Sequence, residues 1–239
     1  MAERKPLRKI IDALASHYGR PAPPITDDPF ELVLLENVAY LVSDERRDAA
    51  FKALRDRIGL RPIDILSTSH EQLLDVARLG GMHPERRVER LRQIAQIALT
   101  EFGGDLKTVT SGPIRAAKRA LKKFWAIGDP GAEKILLFSR AHKFMALESN
   151  GLRVLSRLGF GEERKSYAAS YRSAQEATED QIKDDFVWLI EAYQLLRQHG
   201  QQVCKNSAPL CPSCPVRKWC RYYEERSLRK GRRSTEDDA

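Results

Sequence analysis

The stretch CKNSAPLCPSCPVRKWC, from Cys204 to Cys220, holds every cysteine of this 239-residue chain. The spacing is C-x6-C-x2-C-x5-C, so one continuous loop must supply all four thiols. Pro212 and Pro215 stiffen that loop. Cysteine supplies a soft thiolate, and four of them complete either a tetrahedral zinc site or one [4Fe-4S] cube. Two separated CxxC pairs would favour zinc, but here only Cys211 and Cys214 form one. Four ordinary buried thiols are the poorer account, because the sequence uses cysteine nowhere else. The N-terminal stretch MAERKPLRKI has no apolar run behind its charges, so no signal peptide is expected. No segment has the roughly 18 apolar residues of a membrane span. A reducing cytoplasm is the expected location, and there clustered cysteines are metal ligands rather than disulfides.

The length suits one large domain or two small ones. With 42% hydrophobic residues a core can form, and Lys plus Arg exceed Asp plus Glu by 41 to 33, a net charge of +8. That excess suits a polyanion such as nucleic acid, although composition alone does not decide it. Helical periodicity dominates the chain. DPFELVLLENVAYLVSD predicts an apolar helix from Pro29 to Val42, capped by Asp27 or Asp28. PERRVERLRQIAQIALTEFGG predicts a longer one, with Val88, Leu91, Ile94, Ile97 and Ala98 on one face. Further helices are expected over RRDAAFKALRDRIG, SHEQLLDVARLGG, GPIRAAKRALKKFWAI, AEKILLFSRAHKF, SNGLRVLSRLGF and TEDQIKDDFVWLIEAYQLLRQHG. Alternating strand patterns are lacking, so the expected class is all-α. Residues 1–20 and 226–239 are polar and expected to be mobile.

The cysteine spacing resembles the iron–sulfur loop of the endonuclease III and MutY-type adenine glycosylase family. That resemblance implies a [4Fe-4S] cluster on Cys204, Cys211, Cys214 and Cys220, and a two-lobed helix–hairpin–helix DNA glycosylase fold. The implied partition is an extension at 1–26, a terminal helical lobe from 27–43 and 144–203, and a central lobe at 44–143. A hairpin would lie at 127–135, the cluster loop at 204–220 and a polar tail at 221–239, with DNA in the cleft between the lobes. The family hairpin reads L-P-G-V-G-x-x-T-A. Here IGDPGAEKI supplies Ile127 and the second glycine, Gly131, while Gly128 stands for the proline and Asp129 for the first glycine. A hairpin of this kind offers backbone N–H groups to a phosphate. Gly131 allows close approach, and Asp129 brings an unwelcome negative charge.

ALESNGLRVLSR resembles the MutY stretch L-D-G-N-V-x-R-V-L-x-R around the catalytic aspartate. Leu147, Asn150, Arg153, Val154, Leu155 and Arg157 fall in place, and Glu148 stands at the aspartate. A carboxylate there stabilises positive charge on the deoxyribose and orients a water. The bland alternative is a Glu capping a helix start. PFELVLLENVAYL resembles the family's first helix, whose MutY version carries a glutamate that protonates adenine. Glu36 occupies that register, in an apolar run where a lone charge is costly unless paired or functional. Burial there would suit a general acid, while the alternative is a solvent-facing or Arg-paired Glu. The nucleophilic lysine of bifunctional members would fall at Glu133, with Lys134 next to it. Tyr40 and Leu41, and Met82 and His83, occupy loops where the family fills the gap left by a flipped base. Lys205, Arg217, Lys218 and Arg221 are expected to meet the phosphate backbone.

The implied function is a monomeric, monofunctional glycosylase that acts on double-stranded DNA carrying a damaged or mismatched base. The rivals are a non-catalytic iron–sulfur DNA-binding protein and a zinc-stabilised helical scaffold. No counterpart is expected of the C-terminal domain with which MutY-type enzymes read oxidised guanine. Uracil, thymine and alkylated bases therefore stay open beside adenine.

Overall fold

The computed structural model describes residues 6–182 and 185–227. In chain order the helices are α1 (Leu7–Tyr18), α2 (Pro29–Asn37), α3 (Asp44–Arg57), α4 (Pro62–Ser67), α5 (His70–Leu79), α6 (Pro84–Phe102), α7 (Lys107–Thr110), α8 (Ile114–Leu121), α9 (Asp129–Phe138), α10 (Ser149–Leu158), α11 (Tyr167–Thr178) and α12 (Phe186–Gln202). Among the described residues the only strand-like pairing is one isolated bridge between Tyr40 and Gly81. The all-α expectation holds. The chain divides into two compact units, Pro23–His142 and Met1–Ala22 with Lys143–Ala239.

In the unit Pro23–His142, α6 is the hub. Val88, Leu91, Ile94, Ala95 and Ala98 are buried along it, and α4, α5 and α2 pack on it. The period-3.6 stripe read from the sequence is this buried face. Asp28 caps α2 by accepting from the N–H groups of Phe30 and Glu31, with Pro29 at the first helical position. The expected helix to Val42 ends at Asn37 instead. Asn37 Nδ2 donates to the Trp125 carbonyl at 2.9 Å, and the Tyr40 N–H leaves the helix for the Gly80 carbonyl at 2.9 Å. Gly80 lies so close that a Cβ there would sit 2.0 Å from the Val38 carbonyl oxygen. Because α2 packs on α6, α9 and α3, residues 27–43 group with the central helices, whereas the expected partition placed them with 144–203.

In the other unit α12 runs through the core, flanked by α10 and α1. The N-terminal segment departs from the expectation of a mobile end. Leu7, Ile10, Ile11 and Leu14 of α1 are all buried. They recur at i, i+3, i+4 and i+7, which makes one apolar stripe, and the Leu7 N–H donates to Gln181 Oε1 at 2.9 Å. The helix expected to start near Thr178 starts only at Phe186, and the segment before Thr178, where no helix was expected, forms α11. α11 ends there, and Asp185 caps α12 by accepting from the Val187 N–H at 2.8 Å. At the α10–α12 crossing, a Cβ on Gly200 would lie 2.7 Å from both Cβ and the carbonyl oxygen of Asn150. Gly200 is the residue that lets these two helices touch. The tail expected at 221–239 is helical over 221–227, and its remainder lies outside the described residues.

Candidate functional site

The cysteine loop leaves the end of α12. Short 3₁₀ turns at Cys211–Ser213 and Arg217–Trp219 bring Cys204, Cys211, Cys214 and Cys220 onto the wall of one small cavity. All four are unpaired thiols, half-buried. Burial pushes the Cys214 thiol up to about 11, and pushes the Cys220 thiol upward too. Thiols in so dry a place ionise when a cation compensates them, so the donor set fits a thiolate-bound metal group. Among the described residues no three His, Cys, Asp or Glu side chains are placed to hold a single ion. A cube that takes one thiolate at each of four corners needs a shared wall rather than a single meeting point.

Arginines from α10 brace this loop. Arg157 donates to the carbonyls of Lys205 at 2.7 Å and Asn206 at 3.0 Å, and lies 3.5 Å from Cys204 Sγ. Arg153 donates to the carbonyls of Cys204 at 2.8 Å and Gly200 at 2.7 Å, and to Asn150 Oδ1 at 2.7 Å. A hydrogen-bonded path therefore runs from the loop to the start of α10. There Glu148 is the N-cap: Oε1 accepts from the Gly151 N–H at 2.7 Å and Oε2 from Asn150 Nδ2 at 2.8 Å. The capping role weighed for Glu148 is thus real, and it leaves an oriented, half-buried anion. Asn150 is the residue that joins the carboxylate to Arg153.

His199 and Tyr18 were not anticipated. His199 is buried on α12, and its Nδ1 lies 2.8 Å from the Tyr18 hydroxyl. Burial first, and then His17, hold the His199 imidazole down at about 4, so it is neutral. Burial, then Cys214 and Cys204, push the Tyr18 hydroxyl up to about 12. The spacing of His199 from the buried Leu195 and Leu196 was the available signal, since it places a polar ring on the core face of its helix. Of the expected phosphate contacts, Lys205, Lys218, Arg221 and Arg217 are all exposed. Arg217 also has work inside the loop, donating to the Pro212 carbonyl at 3.1 Å and lying 5.3 Å from the Tyr223 ring centroid.

In the unit Pro23–His142, Glu36 is not the lone charge that its apolar run suggested. Its Oε1 lies 2.5 Å from Lys134 Nζ, with both side chains mostly covered. Glu133, at the register of the family's lysine, is buried and pairs with Lys118 Nζ at 2.5 Å. At the start of α9, Gly131 has only ordinary contacts around the space a Cβ would take. Internal packing therefore gives no reason for glycine there, which leaves its backbone open to approach from outside. The unwelcome charge of Asp129 is offset by Lys122 Nζ at 3.1 Å.

The two candidate loops meet. The Tyr40–Gly81 bridge holds them side by side, and Tyr40, Leu41, Met82 and His83 are exposed. Leu41 has φ 53° and His83 φ 57°. Each is a left-handed non-glycine residue, a conformation that costs of order 1–3 kcal/mol and collects at functional sites. Buried Arg87 secures the second loop by donating to the carbonyls of Ala77 at 2.9 Å and Met82 at 2.8 Å. Arg87 stands on the apolar stripe of α6, four residues before Leu91, which was the sign of its role. With Glu36, Arg86 and Arg90, the loops line a cavity of about 300 Å³.

No family model matches the sequence. The chain is 24% identical to the endonuclease III of Sulfolobus acidocaldarius over 201 residues, which cover 83% of this chain and 84% of that one. It is 23% identical to the endonuclease III of Thermotoga maritima over 209 residues, or 87% and 90% of the two chains. Its fold matches a trapped endonuclease III–DNA covalent intermediate with a TM-score of 0.72 at 20% identity, covering 95% of this chain and all of that one. A thermostable thymine-DNA glycosylase matches with a TM-score of 0.69 at 17% identity, over 92% and 97%. These likenesses cover most of the chain in sequence and in fold, and they give it the helix–hairpin–helix fold of the endonuclease III structures.

Proposed function

We propose that the chain is a monofunctional DNA glycosylase of base excision repair, which flips a damaged or mismatched base out of duplex DNA and hydrolyses its N-glycosidic bond. The observation that carries this reading is the capped carboxylate of Glu148, fixed by Gly151 and Asn150 in a chain whose relatives are endonucleases III. As the base departs, positive charge develops on the sugar. An oriented anion beside it lowers that barrier without needing to accept a proton, so both capping hydrogen bonds can persist. Water is the nucleophile in this reading, because Glu133 stands at the lysine register and is occupied by Lys118. Glu36 is the candidate acid toward the base, once its contact with Lys134 gives way. Tyr40, Leu41, Met82 and His83 are the candidate wedge, and Gly131 the phosphate-binding position of the hairpin.

Cys204, Cys211, Cys214 and Cys220 would hold a [4Fe-4S] cluster. Bound there, the cluster supplies a fixed, compact fold for the basic loop. The protein is expected to bind DNA as a monomer. A panel of duplexes carrying single modified bases tests the activity directly. Base release without strand cleavage, and without a borohydride-trapped adduct, is the expected result. Trapping that disappears in Lys134→Ala would show that the lysine is the nucleophile after all. One observation favours a second reading, a non-catalytic iron–sulfur DNA-binding protein: both Glu148 oxygens are already engaged. Wild-type protein that binds duplexes but releases none of the modified bases would establish that reading.

A further inference from the structure

His199 touches the cysteine loop twice. Its carbonyl accepts from the Cys204 N–H at 2.8 Å, and its Nε2 lies 3.5 Å from Cys214 Sγ. The opposite ring nitrogen, Nδ1, faces the hydroxyl of Tyr18 at 2.8 Å. Tyr18 is the last residue of α1, so the N-terminal helix ends against the ring that faces a cluster ligand. The two proton arrangements of this pair are not equivalent. If Nδ1 carried the proton, the Nε2 lone pair would point at a metal-bound thiolate, and like charge would face like. If Tyr18 donates to Nδ1, the proton sits on Nε2 and points at the sulfur. An N–H aimed at a thiolate draws charge from it and favours the more electron-rich, reduced cluster, which raises the reduction potential.

We propose that Tyr18 and His199 form a positioning pair, in which the Tyr18 hydroxyl fixes the tautomer of His199 so that its Nε2–H donates to Cys214 and tunes the cluster's reduction potential. This rests on the reading of the four cysteines as a [4Fe-4S] site. Neither residue is among those proposed for base release, so the pair would add a property to the loop rather than a step to the reaction. It also gives α1 a purpose beyond packing. A helix that covers Leu7, Ile10, Ile11 and Leu14 could end in any polar residue, but this one ends in a hydroxyl held against a buried imidazole.

The test uses the full chain purified without oxygen, as wild type, Tyr18→Phe, His199→Phe and His199→Gln. Iron content and visible absorbance come first, then the midpoint potential of the one-electron cluster couple at an electrode. His199→Phe removes the donor, and is expected to shift the equilibrium about tenfold toward the oxidised cluster, a potential lower by about 59 mV. His199→Gln keeps an N–H donor and is expected to recover most of that shift. Tyr18→Phe keeps the ring and its packing, loses the tautomer lock, and is expected to fall between wild type and His199→Phe. Should His199→Phe fail to load iron, Tyr18→Phe against wild type still decides. Iron-loaded variants that all share the wild-type potential would overturn the pair while leaving the cluster reading intact. Equal shifts in His199→Phe and His199→Gln would also overturn it, because lost burial rather than a lost N–H would then be the cause. Wild-type protein that carries zinc and no iron would overturn both.

Discussion

Glu148 places a carboxylate at the head of α10, on an arm one methylene longer than that of an aspartate. Glutamate is not a preferred N-cap residue, yet its longer arm still reaches the Gly151 N–H at 2.7 Å. The observed capping role and the proposed catalytic one would share this side chain, and substitutions should separate them. Glu148→Gln retains an oxygen for the cap and loses the anion. Excision is expected to fall about a hundredfold or more, comparable to removing one strong electrostatic stabiliser, while binding to an abasic-site duplex and the unfolding midpoint stay near wild type. Glu148→Asp is expected to cap as well and fold as stably. It should still lower excision, because the charge retreats by a methylene. A rise in excision in Glu148→Asp would mean instead that the Glu is a decayed site. Glu148 was legible in the sequence as a candidate, because six residues around it fall in place in the resemblance. It could not show the partner of Glu36. Lys134 lies 98 positions away, and only the packing of α2 on α9 brings the two together.

At the scale of elements, what the sequence hid was the apolar stripe of α1. In LRKIIDALASHY the polar residues between Leu7 and Leu14 dilute a stripe that needs only four positions. α11 was hidden in the same way by a run of Ala, Ser and Gln. The longer α6 and α12 were legible because their periodicity persists over several turns. The α1 packing is energetic rather than decorative. Leu14→Ala should cost about 2–5 kcal/mol, the usual range for a buried Leu, read as a lowered midpoint in chemical denaturation. A cost near zero would mean that α1 does not pack on α12 in solution. The α10–α12 crossing makes a second demand. Gly200→Ala places a methyl against the backbone of Asn150, and should destabilise the protein by about 1–3 kcal/mol through overpacking. It should also disturb Arg153, whose guanidinium donates to the Gly200 carbonyl. Cluster loading is therefore expected to fall along with stability.

For the whole molecule the decisive quantity is charge. A net +8 is a diffuse property until the fold says where it goes. The cysteine loop collects Lys205, Lys218 and Arg221 on exposed positions beside the site. Their sequence proximity made this grouping visible in advance. The division of labour among them was not visible, because Arg217 is occupied with the Pro212 carbonyl and the Tyr223 ring. Arg217 is therefore a poor probe of DNA binding, since its loss would disturb the loop itself. Lys205 and Lys218 are better ones, although Lys218 Nζ rests 4.2 Å from the ring centroid of its neighbour Trp219. If each neutralises one phosphate, the double variant Lys205→Ala/Lys218→Ala should reduce the steepness of log K against log salt by about 1.8, from roughly 0.9 per contact on duplex DNA. The loss of affinity should be nearly the same on every duplex, whether or not it carries a lesion, because phosphate contacts hold no sequence information. A loss confined to lesion-bearing duplexes would place the two lysines at the flipped nucleotide instead. An unchanged salt slope with intact iron content would show that the loop does not meet the backbone at all, and that the excess charge serves solubility alone.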